Sequence, residues 1–182
     1  MSASAAHSDA LIHRFRYTRW ANDAVIEVLR SCSPDVRMHD ALQDAQRRLS
    51  HLLRAQMIWW GRVAADRAVS LDVWGCDDLD TCAARSAEST SRWIALLQTA
   101  SDAELEAPIR YRNAKGTPFS TRLQVIANHV VTHSAHHRGQ IAVDLRQADV
   151  TPPATDYIAF VRTPAADPQH PLHQMARVPA SS

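Results

Sequence analysis

The stretch NHVVTHSAHHRGQIAVDLRQ, residues Asn128–Gln147, is the most informative part of this 182-residue chain. Four of the ten histidines lie in it: His129, His133, His136 and His137. Its apolar residues recur at three- and four-residue steps, which is the period of one helical face. With about 100° between successive residues, His133 and His137 lie within or beside the apolar stripe and the other two at its flank. The pattern predicts a long helix from about Ser120 to Ala148 with one histidine pair facing inward.

The inward pair has a spacing that suits a metal ion. His133 and His137 are four residues apart, so both imidazoles can reach one ion, as in the HExxH zinc motif. Two inward histidines can equally be satisfied by packing and hydrogen bonds, and the spacing leaves both interpretations open. A third ligand has to come from another helix, where the candidates are His13, His39 and His51, with Asp or Glu residues as lesser options. His51 lies roughly 100° or more from the main apolar stripe of its helix, so periodicity alone does not select it.

Three more long helices are predicted before this segment. They run from about Asp9 to Arg30, from about Val36 to Asp66 and from about Leu79 to Ala100. A turn-forming Asn-Ala-Lys-Gly within residues 108–118 predicts a small hairpin or ordered loop before the last helix. Residues 67–78 form a long connection, and four helices with one long crossover connection are typical of a four-helix bundle. We therefore expect an all-α fold, with residues 1–162 as the bundle domain and 163–182 as a mobile C-terminal tail.

Composition and charge exclude several classes of protein. The chain has 20 Lys and Arg against 19 Asp and Glu, so no broad positive field favours nucleic acid or an anionic membrane. No apolar run approaches the roughly 18 residues that span a bilayer, and the first residues lack the apolar core of a signal peptide. The three cysteines form neither a CxxC pair nor a disulfide pattern, which suits a reducing compartment. These features predict a cytoplasmic protein whose partner is a small-molecule substrate.

Several segments resemble the DinB/YfiT family. They are YTRWAND (Tyr17–Asp23), RLSHLLRAQMIWWGRV (Arg48–Val63), the histidine-rich stretch quoted above and PPATDY (Pro152–Tyr157). The resemblance extends to about Phe160 and implies a four-helix bundle, usually dimeric, with a metal bound by one histidine of the second helix and an i, i+4 pair of the last. Matched residue by residue, these ligands are His51, His133 and His137. Thr132 stands where the family often has Asn. The Trp-rich second helix offers apolar surface that supports a homodimer.

A three-histidine site predicts one of two chemistries. Neutral imidazoles leave a divalent ion with its full charge and an open position, where the pKa of bound water or of a bound thiol falls. The resemblance favours the thiol, because similar proteins include thiol-dependent S-transferases and a mycothiol-dependent maleylpyruvate isomerase. We expect a thiol-dependent S-transferase or isomerase in detoxification or stress, with a low-molecular-weight thiol and with zinc or nickel, or else iron or manganese, as the metal. A metal-dependent hydrolase and a non-catalytic metal-binding stress protein are the alternatives, and no general base is evident.

Other residues near these motifs have competing interpretations. Tyr17 and Trp20 could line a pocket above the metal, but aromatic residues at this spacing are more typical of a core. Gly139 inside a helix indicates close helix packing. Arg138 could hold an anionic group or pair with a carboxylate. Gln140 is a candidate hydrogen-bond partner for the histidine one turn before it.

Overall fold

The computed structural model describes residues 3–65, 71–113 and 115–163 as a helical bundle with one small hairpin. Its elements are α1 (Ala3–Ser31), α2 (Pro34–Arg37), α3 (Asp40–Val63), α4 (Leu79–Thr99), α5 (Asp102–Glu106), β1 (Pro108–Arg112), β2 (Pro118–Arg122), α6 (Leu123–Gln147) and α7 (Tyr157–Val161). The four long helices confirm the predicted all-α fold. The predicted mobile tail falls, apart from Thr163, outside the described residues.

The long helices pack as two layers rather than in chain order. α3 lies mainly against α6 and α4, while α1 lies mainly against α4 and α6. The consecutive helices α1 and α3 touch each other little, so they occupy opposite corners of the bundle. Ser50 and Gln56 of α3 contact Cys82 and Ser89 of α4 in the same order, so the two helices run parallel and the connection between them has to return along the bundle. The long connection that the sequence predicts serves this purpose, and the packing places the middle of α3 beside the middle of α6.

The core consists of apolar clusters joined by a buried polar network. In one cluster the rings of Phe15 and Trp93 stack with centroids 5.1 Å apart. Gln56, in the middle of α3, donates to Ser134 Oγ at 2.9 Å and accepts from Ser89 Oγ at 3.0 Å. Because these partners lie on α6 and α4, one amide fixes the rotation of three helices, and a buried polar group that is fully paired specifies a single packing.

Two predicted helix boundaries differ from the structure for local reasons. The second predicted helix is divided, because His39 has extended backbone angles (φ −63°, ψ 132°) and its Nδ1 accepts the backbone N–H of Ala41 at 3.2 Å, which caps α3. The last helix begins at Leu123 instead of about Ser120, because the preceding residues pair with β1. The register runs antiparallel from Pro108 opposite Arg122, so the predicted hairpin is confirmed.

The interpretation of Gly139 as a close-packing residue is wrong. Gly139 lies on the exposed face of α6, and a Cβ built on it meets nothing within 4 Å. Its neighbour Arg138 is 2% exposed, and among the described residues no carboxylate pairs with it, whereas its predicted role in holding an anionic group stays a prediction. Its Nη1 donates to Asn22 Oδ1 at 2.9 Å, and its guanidinium carbon lies 5.1 Å from the ring centroid of Tyr17. Burial lowers the pKa of this guanidinium.

Tyr17 and Trp20 belong to the core, as their spacing favoured. Both rings pack on Phe160 of α7, with centroid distances of 5.8 and 5.6 Å. The hydroxyl of Tyr17 donates to the carbonyl oxygen of Thr155 at 2.8 Å, which ties the segment before α7 to α1. None of the helices in the described residues has the length and hydropathy needed to cross a bilayer.

Candidate metal centre

Helices α3 and α6 bring three histidines together. One ring nitrogen each from His51, His133 and His137 lies within 4.8 Å of the other two, and Nε2 of His133 is 3.1 Å from Nε2 of His137. Two nitrogens that bind one tetrahedral zinc at about 2.0–2.1 Å stand about 3.3 Å apart. The observed spacing therefore suits a single ion. Among the described residues, no carboxylate, cysteine or further histidine joins this group.

Hydrogen bonds orient two of the three rings. Nδ1 of His51 lies 3.0 Å from the carbonyl oxygen of Val73, and Nδ1 of His137 lies 2.8 Å from Oε1 of Gln140. A carbonyl oxygen only accepts, so each Nδ1 carries the hydrogen and each Nε2 keeps its lone pair for a ligand bond. The predicted contact between Gln140 and the preceding histidine is confirmed.

The rotational argument for α6 agrees with the burial of its histidines. His133 and His137 are half-buried, whereas His129 and His136 are exposed. His136 Nε2 lies 3.2 Å from Nε2 of Gln140, outside the group of three. Thr132, where the family often has Asn, is also exposed, and its hydroxyl donates to backbone carbonyls of its own helix.

His51 is buried by a part of the chain that periodicity does not reveal. Residues 71–78, here called the crossover segment, lead from the long connection into α4. Val73 and Trp74 of this segment lie against the side chain of His51. The indole of Trp74 stacks on the His51 ring with centroids 4.0 Å apart and an interplanar angle of 18°. His51 is consequently 6% exposed although it lies off the main apolar stripe of α3. Val73 and Trp74 were missed from sequence, since a backbone carbonyl has no side-chain signal and a loop has no period.

The two other candidate histidines have structural roles. His39 caps the start of α3, as described above. His13 packs against the rings of Tyr157 and Phe160, with centroid distances of 5.8 and 5.2 Å. Neither belongs to the group of three ring nitrogens.

The surroundings keep the three imidazoles neutral. Burial, followed by the neighbouring His137 and His51, lowers the pKa of His133 to about 4. Burial also lowers the pKa of His51 and of His137, although the hydrogen bonds to Val73 and Gln140 act in the opposite direction. Neutral imidazole is the form that binds a metal, so protons compete weakly for this centre at neutral pH.

One flank of the centre is aromatic and cationic. The ring of His129 contacts both His133 and Trp59, with centroid distances of 5.4 and 5.2 Å. Trp59 in turn contacts Tyr111 of β1 at 5.0 Å, and the guanidinium of Arg62 lies 4.6 Å from the Trp59 centroid. A surface of rings and one cation therefore extends from the histidine group to the hairpin.

The hairpin itself carries a groove of about 540 Å³, which is lined by Arg110, Tyr111, Arg112, Pro118, Phe119 and Ser120.

Comparison with known proteins agrees with the resemblance seen in the sequence. A family model described as the DinB family matches residues 1–169. The chain belongs to the DinB family. It is 25% identical over 162 residues to Protein DinB of Bacillus subtilis (strain 168), an alignment that covers 82% of this chain and 92% of that protein. DinB membership and the three-histidine group together fit a divalent metal ion.

Proposed function

We propose that this protein is a divalent-metal-dependent enzyme that transfers or rearranges a group with the help of a low-molecular-weight thiol. The observation that carries the proposal is the convergence of three imidazoles with no fourth protein ligand among the described residues. Structural metal sites have a closed set of four protein ligands, whereas catalytic sites have three and leave a position for an exogenous molecule. The three ligands are His51, His133 and His137, and zinc or nickel suits imidazole donors.

The composition of the centre favours a thiol over water as the activated group. A divalent ion held there would act as a Lewis acid and would lower the pKa of a bound thiol or water. No carboxylate of the described residues joins the histidine group. A thiol needs less help, because its ordinary pKa is about 8.5 whereas that of bulk water is about 15.7.

The chain's own residues orient the ligands and supply a surface for the second substrate. Val73 and Gln140 fix two of the rings by accepting the Nδ1 hydrogens. We place the electrophilic substrate on the flank formed by His129, Trp59 and Arg62, where flat rings offer stacking and the guanidinium offers a positive charge.

Turnover with and without a thiol tests this function. Metal-loaded protein is mixed with glutathione or cysteine and with a chromogenic aryl halide or an unsaturated diacid, and conjugation or isomerisation is followed by absorbance. We expect thiol-dependent turnover that falls to background on chelation of the metal and in His137→Ala, with the fold of the variant checked by circular dichroism. His136→Ala, one residue away and exposed, is the matched control and keeps the activity.

Two outcomes would contradict the thiol proposal. Metal-dependent cleavage of esters or amides at the same rate without thiol would assign the protein to the hydrolases. A coordination sphere closed by a fourth protein ligand, with no exchangeable water seen by pulsed electron-nuclear spectroscopy of a paramagnetic ion, would assign it to the non-catalytic metal-binding proteins.

A further inference from the structure

We propose that Asp77 is a positioning residue for the metal centre: it fixes the crossover segment to α3 and α4, and thereby holds Val73 and Trp74 against His51 so that Nε2 of this ring is presented to the ion. This inference rests on the metal-binding part of the proposed function. It concerns how the ring of His51, which lies off the apolar stripe of α3, acquires a defined tautomer and orientation.

The carboxylate of Asp77 is the anchor of the crossover segment. It is 8% exposed and accepts hydrogen bonds from Arg54 of α3, to Oδ1 from Nη2 at 2.5 Å and to Oδ2 from Nε at 2.8 Å. Arg85 of α4 donates from Nε to Oδ2 at 2.9 Å. Burial raises the pKa of Asp77, but these two guanidinium groups more than compensate and hold it below its ordinary value. An ionised carboxylate therefore joins the crossover segment to two helices at once.

The backbone of Asp77 is fixed next to the ligand itself. Its N–H donates to Oγ of Ser50 at 3.0 Å, and its carbonyl oxygen accepts from Nε2 of Gln46 at 2.8 Å. Ser50 immediately precedes His51 on α3. The position of the crossover segment is thus set relative to the residue adjacent to the ligand.

The guanidinium of Arg54 also holds the earlier part of the crossover segment. Nη1 of Arg54 donates to the carbonyl oxygen of Asp72 at 2.8 Å. At Gly75 a Cβ would lie 2.6 Å from Cζ of Arg54, so a side chain at this position would force the guanidinium to move away from its present contacts. Arg54 therefore contacts the crossover segment on both sides of Val73 and Trp74, the two residues that contact His51.

The contacts with His51 depend on this anchor. The indole of Trp74 is 69% exposed although it stacks on His51, so no core packing holds it in place. Likewise, the acceptor for Nδ1 of His51 is a backbone carbonyl of the crossover segment. Without the anchor both contacts are lost, and the ring can rotate and adopt either tautomer. Outer contacts of this kind typically change metal affinity by about 10–100-fold.

Metal titration of variants of the full-length protein tests the inference. Nickel ions are titrated into metal-free protein in competition with a chelator, and we expect Asp77→Asn to bind nickel about 10–100-fold more weakly than the wild type. Asp23→Asn is the matched control, because it removes the same charge from a carboxylate that bridges α1 to Ser86 of α4 and makes no contact with the crossover segment; its affinity stays within about twofold. Gly75→Ala displaces Arg54 and reproduces the loss by a second route.

A double-mutant cycle separates positioning from general destabilisation. If Asp77 acts through His51, Asp77→Asn causes no additional loss of nickel affinity in a His51→Ala background, where the α6 pair alone binds nickel weakly and the affinity is measured by direct titration without a chelator. An equal loss in both backgrounds would overturn the inference, since the substitution would then act on the whole bundle. Wild-type affinity in both Asp77→Asn and Gly75→Ala would also overturn it.

Nitrogen NMR of the metal-free protein distinguishes failure of the proposed function from failure of the positioning role of Asp77. The His51 ring is expected in the Nδ1–H tautomer in the wild type and in a mixture of tautomers in Asp77→Asn. If Asp77→Asn changes the His51 tautomer as expected but the wild type binds no nickel, the proposed function is contradicted and the positioning of His51 stands. A wild type that binds nickel while the tautomer is unchanged by Asp77→Asn would contradict the positioning alone.

Discussion

The three histidines of the centre are held in different ways, and the differences follow from where each partner lies. His137 is oriented by Gln140 of its own helix, whereas His51 depends on a carbonyl from the crossover segment. For His133, no partner for Nδ1 occurs among the described residues, and its Nε2 faces that of His137. Burial, followed by the neighbouring His137 and His51, lowers the pKa of this imidazole to about 4.

This low pKa predicts how the stability of the metal-free protein depends on pH. His133 has an ordinary pKa of 6.5, so between about pH 6.5 and about pH 4 the unfolded chain binds a proton that the folded chain does not. The free energy of unfolding should therefore fall as the pH decreases through this window and be unaffected by His133 above it. Urea unfolding at several pH values measures the effect. His133→Leu is expected to lose less stability over the same window, and equal losses in the two proteins would contradict the assignment.

At the residue scale, sequence could identify candidate ligands that share a helical face but not one whose burial depends on a distant segment. His133 and His137 follow from rotation about α6 and from the family resemblance. His51 followed from the resemblance only, because the residues that bury it lie more than twenty positions away in the crossover segment. Arg138 shows the same limit: its position next to two histidines gave no sign that α1 would bury its guanidinium against Asn22.

Among the elements, α6 has one face that carries the candidate ligands His133 and His137 and an opposite face that is exposed. Gly139 lies on the exposed face, where a methyl group would meet nothing within 4 Å. Gly139→Ala is expected to raise the free energy of unfolding by about 1 kcal/mol, because a helical glycine loses more conformational entropy than alanine. Thermal or urea unfolding provides the measurement.

Gly116 of the hairpin turn provides a control for Gly139, because alanine is expected to change the free energy of unfolding in the opposite direction there. Its φ of +80° lies in the left-handed region, so Gly116→Ala is expected to destabilise the protein by about 1 kcal/mol even though open space surrounds it. If both substitutions shifted stability in the same direction, backbone entropy would not be the cause at Gly139.

The long helices and the hairpin were predictable at the element scale because each has its own local signal. Apolar periodicity marked the helices, and the turn residues marked the hairpin. The division of the second helix was not predicted, since it depends on the side chain of His39 accepting a backbone hydrogen bond, which the sequence pattern alone does not show. The start of α6 was placed too early because strand pairing extends through Arg122.

The apolar surface of the whole molecule bears on the proposed homodimer. Trp59 and Trp60, whose surface suggested it, are half-buried, with Trp59 against Tyr111 and Trp60 under the guanidinium of Arg92. Among the described residues, several exposed apolar side chains lie on α6 and α7, namely Val125, Val143, Tyr157, Ile158 and Val161, and others lie elsewhere, namely Val36, Met38, Trp74 and Phe119. The dimer proposal concerns the α6 and α7 set. We propose that a second copy of the chain covers part of this surface. Light scattering at low micromolar concentration should give twice the chain mass, and the mass of a single chain would contradict the dimer.

For the molecule as a whole, the bundle was predictable from sequence, while the closure of the centre by the crossover segment was not. The long connection was evident from the chain length between α3 and α4. Its path depends on a buried ionic cluster of Asp77, Arg54 and Arg85, whose members are spread over 32 positions of the chain and have no common period. The three-histidine group is therefore completed by tertiary contacts.

Metal content of the purified protein, prepared without an affinity tag, tests the three-histidine centre most directly. After equilibration with zinc or nickel and removal of free ions, elemental analysis should give about one divalent ion per chain, because three convergent imidazoles define a single site. The content should fall close to zero in each of the folded variants His51→Ala, His133→Ala and His137→Ala, and it should persist in the controls His129→Ala and His136→Ala. A folded wild type that retains well under one ion per chain, or a variant of the three that retains a full ion, would contradict the centre.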